Sequence, residues 1–90
     1  AEVERIISAV AGVREVAVVG KPHKMLDEVP VAFVIAFAPD AGLSEWVLTA
    51  CRTNLADFKV PVEVIIVDDF PRVTLEKVDK KVLRQRLLQS

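Results

Sequence analysis

The 90-residue sequence predicts a small α+β domain with the element order α-β-β-α-β-α. Three observations point to it. Apolar residues recur at helical spacing in three separate segments. The segments between them are rich in β-branched residues and bounded by Gly, Pro and Asp. The two kinds alternate too closely for separate layers along the chain. A three-stranded sheet with helices packed on it is therefore the economical solution.

The first helix is read from Val3, Ile6, Ile7 and Val10, which share one helical face, with Glu2, Glu4 and Arg5 on the other side. Gly12 is a plausible stop, because glycine takes the left-handed conformation at a helix end. Val13 to Gly20 reads as a strand, with Val16, Val18 and Val19 supplying β-branched bulk. The polar stretch Lys21 to Glu28 holds Pro22 and reads as a loop. Val29 to Phe37 is apolar at nearly every position, the pattern of a strand covered on both faces or along most of its length. Pro39-Asp40-Ala41-Gly42 is a turn cluster.

The second helix starts at Leu43-Ser44, with Ser44 as N-cap and Leu43 and Leu48 as a hydrophobic staple. Val47, Cys51 and Leu55 recur every fourth residue as its buried stripe. It should end before Phe58-Lys59-Val60-Pro61, since a residue preceding proline disfavours the helical region. Val62 to Val67 is the third strand, closed by Asp68-Asp69-Phe70-Pro71. Val78, Val82, Leu83 and Leu87 mark the last helix, with Asp79 as its cap.

Composition narrows the function classes. The chain is 52% apolar and 28% charged, so it is not a disordered polymer. Twelve Lys and Arg balance thirteen Asp and Glu, which argues against a basic nucleic-acid module. The absence of tyrosine, with one Trp and four Phe, also leaves few platforms for base stacking. A single cysteine cannot staple a secreted fold. A chain of this size buries roughly 60–65% of its unfolded surface, enough for one core. It is short for an enzyme that must enclose a substrate, which favours a binding module or part of a larger protein. The N-terminus has no basic-then-apolar leader, and the longest apolar run falls well short of the roughly 20 residues of a membrane span. A cytoplasmic location is the default expectation.

Three stretches stand together in one order. The first is Val16-Ala17-Val18-Val19-Gly20-Lys21-Pro22, followed by Asp27-Glu28-Val29-Pro30-Val31-Ala32-Phe33-Val34. The second is Leu55-Ala56-Asp57-Phe58-Lys59-Val60-Pro61. The third runs Val67-Asp68-Asp69-Phe70-Pro71-Arg72-Val73-Thr74-Leu75-Glu76-Lys77-Val78-Asp79-Lys80. Together they resemble the small C-terminal domain of the adenylate-forming enzymes, the acyl-CoA synthetases and their relatives. The opening Ala1-Glu2-Val3-Glu4 is similar to the start of that domain's first helix. The resemblance covers almost the whole chain, 1–90, as a single domain.

The resemblance implies an ATP-dependent ligase that joins a carboxylic acid to AMP and passes the acyl group to coenzyme A, with Mg2+ accompanying the ATP in the intact enzyme. It implies a sheet of three antiparallel strands flanked by helices. It also implies a partner, the large N-terminal domain of the same enzyme, over which the small domain closes in two orientations. That domain and the hinge would lie upstream of residue 1, so the isolated domain is expected to be inactive. The family's adenylation lysine falls on Lys77. Asp27-Glu28 with the following Val-Pro-Val-Ala-Phe-Val, and Phe58-Lys59-Val60-Pro61, resemble the carnitine-type and fatty-acid ligases of the group.

The sequence departs from the family at two positions. Asp27 stands where glycine often precedes Glu28, and Glu76 where glycine usually precedes the lysine. A left-handed backbone at a non-glycine residue costs on the order of 1–2 kcal/mol. Glu76 also places a carboxylate near the expected phosphates. Either the loop adopts another conformation, or activity is reduced, or Glu76 is displaced in the closed state.

Each candidate has an ordinary reading beside the functional one. Without the resemblance, Lys77 is a surface lysine at a helix start. Lys80, Lys81, Arg84 and Arg86 form either a phosphate-binding surface with Lys77 or the solvated face of the last helix, its late cations favoured by the dipole. Lys80, Lys81 and Arg84 are the candidates for contacts to the nucleotide or cofactor. Cys51 reads as a buried structural thiol. His23 is a lone histidine in a polar loop, and with one His and one Cys no transition-metal site is expected. Asp68 and Asp69 turn the chain before Pro71, Trp46 packs in the first turn of its helix, and Glu28 starts its strand. Two alternatives to the CoA ligase stay open: an adenylation-domain fragment serving a carrier protein with an amino or aryl acid, and a non-catalytic α+β interaction module.

Overall fold

The structure, a computed structural model, describes residues 2–89. Ala1 and Ser90, which the sequence reading included in the domain, lie outside the described residues. The elements follow the expected order: α1 (Glu2–Ser8), β1 (Val13–His23), β2 (Asp27–Ala36), α2 (Leu43–Asn54), β3 (Glu63–Ile66) and α3 (Lys80–Gln89), with one 3-10 turn at Asp57–Lys59. The strands form one sheet in the order β1-β2-β3.

The central strand explains the layering. Val31, Ala32, Phe33, Val34 and Ile35 are all buried. Alternate side chains of a strand point to opposite faces, so these residues divide between two cores. Ala32 and Val34 pack with Ile7 of α1, with Leu43, Val47 and Cys51 along α2 and with Leu55 at its C-cap. Val31, Phe33 and Ile35 pack with Phe70 and with Leu83 and Leu87 of α3. Helices thus cover both faces, as the continuous apolar run requires. The i, i+4, i+8 stripe of α2 is the one read from sequence, with Leu43 extending it by one turn.

The sheet is mixed, which corrects the all-antiparallel expectation. β1 and β2 form an antiparallel hairpin. β2 and β3 run parallel, pairing Val31 with Glu63 through Val34 with Ile66. The reason is the connection. α2 returns the chain along one face to the end where β2 began, and strands joined by such a helical crossover run the same way.

The hairpin is longer than predicted. The polar stretch read as a loop pairs as strand as far as Pro22 with Glu28 and His23 with Asp27. β1 is an edge strand, where a proline without an N–H is tolerated. His23 Nδ1 accepts hydrogen bonds from the Met25 and Leu26 N–H groups at 3.1 and 3.2 Å, which closes the tip. Asp27 takes the left-handed conformation, φ 62°, that the turn demands. Composition alone reads this segment as loop because the closing acceptor is an imidazole, not one of the usual turn residues.

Smaller differences lie at the caps. α1 stops at Ser8, and Gly12, with φ 96°, instead turns the chain into β1. A Cβ there would also come within 3.3 Å of Leu43 Cδ1. α2 begins one residue before Ser44, with Gly42 as its N-cap and no side-chain capping bond. Asp40 Oδ1 accepts the Gly42 N–H at 2.9 Å and shapes the entry turn in Ser44's place. Leu43 is then the first helical residue and buried, so it is core and not one side of a staple. Trp46 lies in the first turn of α2 as expected and is 66% exposed. Asp79 caps α3 as predicted, accepting the Val82 N–H at 3.3 Å.

The burial contrast gives a test of this layering. Leu83→Ala should destabilise the chain by about 2–5 kcal/mol, the cost of a large buried side chain and its cavity. Leu75→Ala, at a position 94% exposed, should stay within about 0.5 kcal/mol of wild type. Urea unfolding followed by circular dichroism measures both.

Candidate functional site

The site is the segment between β3 and α3. Asp69 Oδ1 accepts the Phe70 N–H at 2.8 Å and turns the chain, as the Asp68-Asp69 reading expects. Phe70 is buried in the core beneath α3 and pins the start of the segment. Arg72 and Val78 form an isolated antiparallel bridge. Beside it, the Asp79 N–H donates to Pro71 O at 2.7 Å and the Val73 N–H to Lys77 O at 2.8 Å. The Lys77 N–H donates to Thr74 O at 3.2 Å. The segment is therefore a miniature hairpin whose tip is the turn Thr74-Leu75-Glu76-Lys77. Lys77 is its exposed last residue.

This geometry removes the backbone strain that Glu76 raised. Among the described residues, Asp27 is the only non-glycine with positive φ. Glu76 thus occupies the turn without left-handed strain, and glycine is not required there in this conformation.

An open groove of about 750 Å3 runs between this hairpin and the first two elements, and Val16, Ala17, Val73, Lys77, Lys80 and Lys81 are among its lining residues. Lys80 is engaged: its Nζ lies 2.8 Å from Glu4 Oε2. The same carboxylate oxygen accepts the Val18 N–H at 2.8 Å. Glu4 thus satisfies a donor on the free edge of β1 and ties α1 to the start of α3. Partial burial alone would raise its carboxyl pKa. The Lys80 ammonium and the Val18 N–H outweigh burial and hold it below the ordinary 4.5.

At the root of the hairpin, Arg72 Nη2 lies 2.8 Å from Glu15 Oε1 and 3.4 Å from Asp69 Oδ1. The hydrogen bond from Arg72 to Glu15 raises the guanidinium pKa further. Asp69 is held low, first by the Phe70 N–H and then by Arg72. Lys77, Lys81 and Arg84 make no ion pair among the described residues.

The cationic residues of the last segment divide. Lys77, Lys80 and Lys81 line the groove. Arg84 does not line it, and Arg86 lines a separate hollow with Lys21 and Glu63. Among the described residues, the five cations thus do not all line one groove. Cys51 is fully buried, and burial raises its thiol pKa. Glu28 is exposed at the start of β2, its side chain lying where a Cβ on Gly20 would collide with it. Among the described residues no three of His, Cys, Asp and Glu gather to hold a metal ion. No described helix is long and apolar enough to cross a membrane.

Sequence reasoning missed three residues. Glu4 reads as solvent-facing by helical periodicity, and Glu15 and Arg72 carry no motif of their own. Glu15 and Arg72 are 57 positions apart, so no local spacing signals their contact.

Residues 2–77 match the family described as the AMP-binding enzyme C-terminal domain. The chain is 41% identical over 86 residues to a 2-succinylbenzoate–CoA ligase of Listeria innocua, covering 94% of the chain and 18% of that protein. It is 37% identical over 86 residues to a long-chain-fatty-acid–CoA ligase of Mycobacterium tuberculosis, covering 96% and 17%. It superposes on the crystal structure of ATP-bound MatB from Rhodopseudomonas palustris with a TM-score of 0.86 at 41% identity, covering 94% and 17%. The chain spans less than a fifth of the length of these relatives.

The Glu4 geometry carries a pH signature. A carboxyl depressed in the folded state contributes stability that is full above its unfolded value and lost as pH falls through the lower folded value. For a half-exposed pair this amounts to about 0.5–1 kcal/mol. Glu4→Gln should therefore unfold at lower urea than wild type at pH 7. The difference should close as the pH falls below the ordinary 4.5. Urea midpoints across a pH series measure it, and a constant offset would contradict the assignment.

Proposed function

The chain belongs to the AMP-binding enzyme C-terminal domain family, and on that premise we propose that it is the small domain of an ATP-dependent acyl-CoA ligase that delivers Lys77 for adenylation. One observation carries the reading. Lys77 closes a backbone-fixed turn at the exposed end of a short hairpin, and its ammonium has no carboxylate partner among the described residues. The similarity to proteins named CoA ligases supports the reaction class. The N-terminal domain of the same enzyme is the partner, and ATP with its Mg2+, a carboxylic acid and coenzyme A are the substrates. A fatty or related carboxylic acid is the substrate class, and these substrates fit a cytoplasmic enzyme.

The chemistry asks for such a cation. In the first half-reaction a carboxylate oxygen attacks the α-phosphorus, the α–β anhydride bond breaks, and pyrophosphate leaves with the electron pair. Two anions must approach. A positioned ammonium between them offsets the repulsion and stabilises the charge that develops. Groups of this kind supply about 3–4 kcal/mol, a factor of roughly 10²–10³. In the second half-reaction the thiol sulfur attacks the acyl carbon, AMP leaves, and the thiol proton passes to solvent. That step has no comparable need for Lys77. A lysine on a flexible stem suits a group that must arrive for one step and withdraw for the other. Lys81, which lines the groove and makes no ion pair among the described residues, adds positive potential beside it, whereas Lys80 is occupied by Glu4.

In the full-length enzyme, Lys77→Ala should lower adenylation by about 10²–10³, read as acid-dependent pyrophosphate exchange. Thioester formation from supplied acyl-adenylate should stay near wild type. Equal activity in the first assay would sink the proposal. Glu76 sets a second expectation. A like charge near the phosphates costs on the order of 1 kcal/mol, so Glu76→Gln should raise kcat/KM for ATP about fivefold. Steady-state kinetics at fixed acid concentration measures this.

A further inference from the structure

We propose that Glu15 and Arg72 are positioning residues that aim the Lys77 hairpin, acting through an ion pair between β1 and the hairpin's root. The inference rests on the reading of Lys77 as the adenylation lysine. At its root, Val78 packs against the core that holds Phe70 and Leu83, which fixes that strand's position but not the tip. Val73 and Leu75 are exposed, so no apolar side chain anchors the tip. Its internal hydrogen bonds fix its shape but not its direction relative to the sheet. Direction is set where it joins the body. On the entering side, Arg72 is only 25% exposed, and its Nη2 reaches Glu15 Oε1 at 2.8 Å and Asp69 Oδ1 at 3.4 Å. On the leaving side, Lys80 meets Glu4 at 2.8 Å.

The two sides differ in what they hold. Arg72 is itself the bridge partner of Val78, so its backbone joins both strands of the hairpin at the level where its side chain reaches Glu15 on β1. Glu15 lies within β1, next to Val16, whose partner is Val34 on the doubly buried central strand. Glu15 itself pairs with Ile35 of that strand, just after the register shift that follows Val13, so the ion pair couples the lysine to the sheet beside its central strand. Misplacing a reacting group by about 1 Å can cost 10²-fold, so a loss of direction should show in adenylation and not in substrate affinity.

The test uses the full-length enzyme and measures both half-reactions for Glu15→Gln, Arg72→Gln, Arg72→Lys and Lys77→Ala, with thermal melting as a folding check. Glu15→Gln and Arg72→Gln should lower kcat for adenylation roughly 10–100-fold, with KM for ATP and thioester formation from acyl-adenylate unchanged. Arg72→Lys, which keeps the charge, should recover most of the rate even if Arg72→Gln melts early. Adenylation within twofold of wild type in Glu15→Gln, while Lys77→Ala is inactive, would overturn the positioning role and leave the lysine assignment standing. Equal losses in both half-reactions would also overturn it, since they indicate a structural role. Normal adenylation in Lys77→Ala would remove the lysine assignment and this inference with it.

Discussion

The rest of the structure depends on the burial of β2. Residues 31–35 are buried on both faces of the sheet, and an apolar strand of that kind is stable only if something covers each side. α1 and α2 take one side and α3 the other. The chain must therefore cross from one face to the other after β3. The segment that makes this crossing, between Ile66 and Lys80, is the one that carries Lys77. The position of the candidate site follows from the need to cover the central strand twice.

The crossing passes the free edge of β1, and the ion pairs gather there. An edge strand leaves backbone donors without ladder partners. Glu4 satisfies one of them at Val18 and holds Lys80 with the same oxygen. Glu15, also on β1, holds Arg72. Part-exposed pairs of this kind add little to stability. Their value here is geometric: Glu4–Lys80 joins α1 to α3, which pack in different cores, and Glu15–Arg72 adds a polar tie where Phe70 and Val78 already pack with β1. The apolar cores set the layers, and the charged edge sets the direction of the hairpin between them.

Much of the architecture was legible because it rests on period. The stripe Val47, Cys51, Leu55 and the unbroken run from Val29 each state which face is buried. The family was legible for a different reason, a resemblance covering nearly the whole chain, which the family match over residues 2–77 bears out; Lys77 is the candidate that this resemblance names. The hairpin tip was misread because His23 closes it through an imidazole nitrogen, a role that polar composition does not announce. Ser44 was misread because a good capping residue is not a cap if the helix starts one residue earlier.

The sequence by itself determined the element order, the two apolar faces of the middle strand and the stretch that carries the lysine. These are local properties, set by side-chain period and by residues close in the chain. Only the tertiary structure decided that β3 runs parallel to β2, that Glu76 sits without left-handed strain, and that the candidate cations separate into a groove-lining set and others. It alone brought Glu4 to Lys80 and Glu15 to Arg72. The physical reason is distance along the chain. A charge carries no periodic signal of its partner, so pairs remote in sequence become visible only when the cores bring their elements together.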